Sequence, residues 1–156
     1  GLTAITIGKF PVALISGSRR GLTPMKPLRL DKAAPLKLSV PSATHSLRSR
    51  IDSAIRNGEI AVERTVSIAS LSAVLEFLSL TEWSSILPFW VCLKELGNKR
   101  VTVNPIVEPA LSVELALIHP AQRPLSRPSR QLYDYFRQEL QRSEEEWQRI
   151  RTSFKH

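Results

Sequence analysis

Between Ile60 and His119 the hydrophobic period changes repeatedly, and it spells strand, helix, strand, helix, strand, strand. Val62 to Ile68 is a strand. Leu71, Val74, Leu75 and Leu78 then recur at helical spacing. Ser84 to Leu87 makes a short strand that Pro88 ends, and Phe89 to Leu96 fits a short helix before Gly97. Val101 to Val107 is extended. Pro105 inside it suits an edge or crossing position, because proline donates nothing to a ladder. Leu111 to Ile118 alternates and then runs apolar as far as Pro120. This order builds an open α/β sheet, and such sheets hold small molecules in a crevice at the strand ends.

Upstream, Leu2 to Ile7 and Phe10 to Ile15 read as two short strands separated by Gly8 and Lys9. Ser16-Gly17-Ser18 closes the second, and a loop runs from Arg19 to Pro27. Leu36, Leu38 and Val40 alternate with polar residues up to Pro41. A helix with Leu47, Ile51, Ala54 and Ile55 on one stripe follows. Thr44 or Ser46 suits its cap, and Gly58 suits a left-handed stop. The tail from Ser126 to Phe154 is one long helix. Leu132, Tyr133, Phe136 and Leu140 are its expected buried face, and its last turns are expected to project or to meet a partner. The first residue is Gly1 rather than methionine, and a strand starts almost at once, as in the interior of a longer protein.

A chain of 156 residues, 42% of them hydrophobic and 23% charged, suits one domain or two small lobes sharing strands. The net charge of +8 permits anionic ligands or nucleic acid. Yet the basic residues are scattered, with no interleaving of aromatics of the kind that stacks bases. Cys92 is the only cysteine, so an internal disulfide and a cysteine-rich metal site are excluded. Its apolar neighbours Trp90 and Val91 make it a small buried hydrophobe, and His45, His119 and His156 lie far from it in sequence. No run approaches the roughly 18 apolar residues of a membrane span.

Catalytic patterns are missing. The sequence holds no GxGxxG or Walker loop, no HExxH and no GxSxG elbow. Glu108 sits in a proline-rich bend and Glu114 in an alternating strand, so they form no convincing acid–base pair. What recurs is a strand ending in small polar residues: Ser16-Gly17-Ser18, Pro41-Ser42-Ala43-Thr44, and Ser67 with Ala69 and Ser70. If the strands are parallel, the three ends share one edge. Helix-start N–H groups there favour a carboxylate or other anion. Ordinary capping is the competing reading at each site.

Several segments carry a resemblance when taken in order: Pro11-Val12-Ala13-Leu14-Ile15, Leu30 to Leu36, His45 to Asp52, Val66-Ser67-Ile68-Ala69-Ser70-Leu71, Ile86-Leu87-Pro88, Val103 to Pro109, and Leu115 to Ile118 with Leu125-Ser126. Together they resemble the C-terminal effector-binding part of LysR-type transcriptional regulators. The resemblance implies an α/β fold of the periplasmic-binding-protein type II kind, two lobes joined by two crossing strands. Residues 1–9 would end the first lobe and make the first crossing, and 10–103 would form the second lobe. Residues 104–109 would cross back, and 110–156 would complete the first lobe with a long terminal helix. The opening part of the first lobe and the DNA-binding helix-turn-helix have no counterpart, so the first lobe is incomplete here. Where the family has a Gly-x-Gly turn before the Ile-Leu-Pro strand, this chain has Thr81-Glu82-Trp83, and that loop is expected to run differently.

The resemblance implies an effector between the lobes, touching Ser67, Ala69, Ser70 and Leu71 and then Pro109 to Leu111. Ser16, Ser18 and Ser42 join from the crevice argument. It also implies a small, often aromatic organic acid as effector, and homodimers or homotetramers. DNA would be contacted through an N-terminal helix-turn-helix outside this chain. A cytoplasmic location, no cofactor and no catalytic activity follow. A solute-binding protein for uptake shares the architecture and is the alternative.

Overall fold

A computed structural model describes residues 1–154; Lys155 and His156 lie outside the described residues. In chain order its first elements are β1 (Leu2–Gly17), β2 (Leu28–Arg29), β3 (Leu36–Val40), α1 (Ser46–Arg56), β4 (Val62–Ser67) and α2 (Leu71–Leu80). Then come β5 (Ser84–Pro88), α3 (Phe89–Glu95), β6 (Val101–Glu108), β7 (Ser112–Pro120) and α4 (Arg127–Ser153). The main sheet has the order β2-β6-β1-β5-β3-β4, and β7 pairs with β1 outside that path.

The two strands expected on either side of Gly8 are one. β1 runs 16 residues, and its register against β7 shifts between Thr6 and Gly8. A bulge absorbs the extra residue and the strand continues. Its first part pairs with β7 from Leu2 to Pro11. From Val12 to Gly17 it lies between β5 and β6. One strand therefore serves two ladders. Its central stretch is buried on both faces, which explains why Val12 to Ile15 is a continuous apolar run rather than an alternating one.

Strand direction departs from the sequence expectation. β3 runs parallel to β4 and to β5, but β1 runs antiparallel to β5 and β6. Ser16 therefore faces Ser84 at the start of β5, and Val12 faces Pro88 at its end.

Leu14, Ile15, Leu38, Ile51, Leu78, Ile86 and Phe89 are all fully buried in the core. Each such side chain contributes roughly 1.5–3 kcal/mol relative to exposure. Gly17 lies where the sheet meets the end of α2: a Cβ there would stand 1.8 Å from the Thr81 carbonyl oxygen. The Thr81-Glu82-Trp83 turn is held by several contacts. Thr81 Oγ1 donates to the Phe77 carbonyl at 2.8 Å, and the Trp83 ring packs on Phe77 with centroids 5.4 Å apart. Lys37 pairs with Glu82 and holds its carboxyl below the usual carboxylate range. The loop after β1 is fixed by buried Asn104, whose Nδ2 donates to the Thr23 and Lys26 carbonyls at 2.7 and 2.9 Å.

α4 departs in part from the expected burial, with Leu140 buried as expected. Leu132 and Phe136 are exposed, whereas Leu140 and Trp147 are buried. The Trp147 ring lies 6.2 Å from that of Phe89 on α3. The last turns of α4, expected to project, are thus the ones packed on the domain. Its amphipathic stripe continues along most of the helix, and α3 determines which part of the stripe is covered.

Candidate functional site

The C-terminal ends of β3, β4 and β5 share one edge because these strands are parallel. A cavity of about 270 Å³ opens there. The β3–α1 connection supplies Pro41, His45 and Leu47. The β4–α2 connection supplies Ile68, Ala69, Leu71 and Val74, and the β5–α3 connection supplies Ser85 to Pro88 with Trp90 and Val91. The chain turns from strand to helix at each of the three points, so the cavity floor is sheet and its rim is helix starts.

The rim is built from caps. Ser70 precedes α2, and its Oγ accepts from the Ala73 N–H at 3.4 Å and bonds Ser72 Oγ at 2.9 Å. At α1 the cap is His45, not Thr44 or Ser46: its Nδ1 accepts from the Leu47 N–H at 3.2 Å, so Nε2 of the neutral ring carries the hydrogen. Ser42 bonds Thr44, hydroxyl to hydroxyl, at 3.3 Å beside Pro41. Arg48 is engaged locally, with Nε 2.9 Å from the Asp52 carboxylate and Nη1 3.0 Å from the Pro41 carbonyl. The helix starts of α1 and α2 leave partial positive charge at the rim. Ser85 Oγ, on the floor, donates to the Ser39 carbonyl at 2.9 Å.

The residues singled out from sequence are distributed unevenly. Ala69 and Leu71 line the cavity. Ser70 caps the helix beside it, and Ser67 ends β4 with an exposed side chain. Pro109 and Leu111 line a separate cleft of about 520 Å³ with Arg50, Ser53 and Glu59. Ser16 and Ser18 do not belong to this edge, because β1 is antiparallel and ends at the opposite side of the sheet. Ser16 is fully buried, with its Oγ 2.7 Å from Ser84 Oγ, so it stitches the sheet. His45, Leu47, Trp90 and Val91 were not anticipated as site residues. The Phe-Trp-Val run directly after Pro88 is the one signal in the sequence for Trp90 and Val91.

Cys92 is buried, and burial pushes its thiol up to about 12, which makes a thiolate nucleophile unavailable at neutral pH. Among the described residues no three His, Cys, Asp or Glu side chains group as metal ligands. No helix among them is long and apolar enough to cross a membrane.

No curated protein sequence matches the chain. Solved structures do. A cysteine mutant of Corynebacterium glutamicum OxyR is similar over 98% of this chain and 47% of its own, with a TM-score of 0.69 at 18% identity. The reduced OxyR regulatory domain of Pseudomonas aeruginosa is similar over 87% of this chain and 66% of its own, with a TM-score of 0.66 at 16% identity. The Synechocystis CcmR regulatory domain in complex with 2-PG is similar over 86% of this chain and 64% of its own, with a TM-score of 0.64 at 15% identity.

 This chain spans about half the length of the first of these proteins and about two thirds of the other two. At such identities the likeness is one of fold, the two-lobed α/β fold of type II periplasmic binding proteins. The sequence pattern of the LysR substrate binding domain matches residues 1–141, so the chain belongs to that family of effector-sensing regulatory domains.

Proposed function

We propose that this chain is the effector-sensing part of a LysR-type transcriptional regulator and that a small organic acid binds at the edge shared by β3, β4 and β5. The cavity behind Ala69 and Leu71, rimmed by the starts of α1 and α2, is the observation that carries the reading. Its apolar floor buries the body of a ligand, and the helix starts favour an anionic group. Ser67, Ser70 and Ser42 stand beside it and supply hydroxyls near the mouth. Pro109 and Leu111, just after the returning strand, line the separate cleft against α1 and are not part of this cavity.

In this reading residues 10–103 form the second lobe, and β7 with α4 belongs to the first. The effector favours one angle between lobes, a population shift that resets the spacing of DNA-binding heads in a dimer or tetramer. The heads are helix-turn-helix units outside this chain, and the whole works in the cytoplasm. Titration calorimetry and DNA footprinting of the full-length protein with small carboxylates test the proposal. Saturable binding that changes the footprint is expected. Binding without any change in the footprint removes the regulatory role.

A further inference from the structure

Resting on the reading that the cavity between β3, β4 and β5 takes the effector, we propose that Trp90 is a movable wall that passes the state of this cavity to α4, through Phe89 and Trp147. Trp90 borders two spaces. It lines the cavity of about 270 Å³, together with Ala69 and Val74. It also lines a groove of about 490 Å³, together with Phe136 and Leu140 of α4. No other described residue lines both of these spaces. Side chains in a close-packed core have nowhere to go, but the half-buried indole of Trp90 borders open space in both places. A group seated in the cavity displaces it. In the same reading α3 belongs to the second lobe and α4 to the first, so the relay crosses between lobes.

Aromatic contacts set where the displacement goes. Trp90 stands edge to face against Phe10 and Phe89, with ring centroids 5.8 and 5.3 Å apart. Such pairs are directional, so a tilt of one ring changes the preferred setting of the next. Phe89 is fully buried and cannot absorb the change in free space; its ring lies 6.2 Å from that of Trp147. Trp147 is as buried as Phe89, and its Nε1–H has no acceptor among the described residues. A buried donor without a partner is costly, which makes this seat the one that yields. Only Leu140 and Trp147 of α4 are buried, so unseating Trp147 frees the last turns of the helix. Phe10 ties the cluster to β1 as well. Its ring covers Gly8 at the register shift, where a Cβ would stand 2.8 Å from Phe10 Cζ.

Fluorine NMR of the full chain labelled with 5-fluorotryptophan tests the relay, since the chain has three tryptophans, Trp83, Trp90 and Trp147. Ala69→Phe stands in for an occupant. Ala69 is exposed at the cavity and directly precedes the Ser70 cap, so an apolar side chain there packs on Val74 in the first turns of α2. Ala69→Leu repeats the test with a smaller group, and circular dichroism verifies each fold. The expected result is that Trp90 and Trp147 both shift by more than a linewidth, while Trp83, packed on Phe77 outside the cluster, stays in place. Phe89→Leu, combined with Ala69→Phe, should abolish the Trp147 shift and keep that of Trp90. A shift of Trp90 alone in Ala69→Phe overturns the relay and leaves the cavity standing as the effector site. No shift at either overturns the cavity reading and the relay with it. A Trp147 shift without one at Trp90, one that survives Phe89→Leu, or an equal shift at Trp83 overturns the route through the aromatic cluster.

Discussion

Gly17 shows how a single missing side chain sets the closeness of two elements. Its Cβ position is 1.8 Å from the Thr81 carbonyl oxygen and 2.4 Å from that of Leu78, and both are backbone atoms that cannot swing away. Gly17→Ala must separate β1 from the end of α2, and overpacking of this kind costs about 1–3 kcal/mol or more. Urea denaturation is expected to show a loss in that range. A wild-type midpoint would mean that α2 shifts freely. Cys92 makes a second residue-scale case. Burial raises its thiol from an ordinary 9.0 to about 12. The folded state therefore holds the proton more tightly, and its contribution is fully present below the unfolded thiol's pKa. It is lost as pH rises from about 9 toward 12, at about 1.4 kcal/mol per pH unit. Comparing Cys92→Ala with wild type between pH 8 and about 10.5 should show a shallower decline in the variant; parallel declines would refute the shift.

At the scale of elements, local signals were legible and long-range ones were not. The helical spacing of Leu71, Val74 and Leu78 and the alternation of Leu36 to Val40 depend only on neighbours, and both elements occur where the pattern predicts. The direction of β1 does not depend on neighbours. An apolar run such as Val12 to Ile15 reads the same in a parallel or an antiparallel sheet, so the expectation of parallel strands puts Ser16 and Ser18 at the wrong edge. The cavity was half legible for the same reason. Ala69 and Leu71 follow from a strand-to-helix turn, whereas Trp90 enters only because β5 lies beside β3. α4 adds a third lesson, since its stripe is apolar on both sides of Leu140 and only α3 decides which part is buried. Trp147→Ala is accordingly expected to cost about 3–5 kcal/mol, the range for removing a buried aromatic. Leu132→Ala should stay within about 0.5 kcal/mol. Equal losses in chemical denaturation would contradict the packing of Trp147 on Phe89.

At the scale of the whole molecule, β1 ties the two ladders together, but their surroundings differ. In the main sheet β1 is flanked by β5 and β6 and is buried. Where it pairs with β7, Leu2 and Ile118 are exposed at 74% and 62%, and on α4 Leu132 and Tyr135 are exposed at 68% and 63%. Large exposed apolar side chains favour association where they form a contiguous patch. β7 also presents an outer edge whose N–H and C=O groups pair with no strand among the described residues. The 156-residue chain on its own is therefore expected to self-associate as its concentration rises, and Leu132→Lys with Phe136→Lys should shift it toward monomer. Neither side chain is buried, so the thermal midpoint extrapolated to low concentration should hold within a few degrees. Sedimentation velocity over a hundredfold range of concentration decides the matter. A chain that stays monomeric throughout would show that these side chains, though exposed, do not drive association, and a double variant that associates as strongly as wild type would move the cause to the open edge of β7.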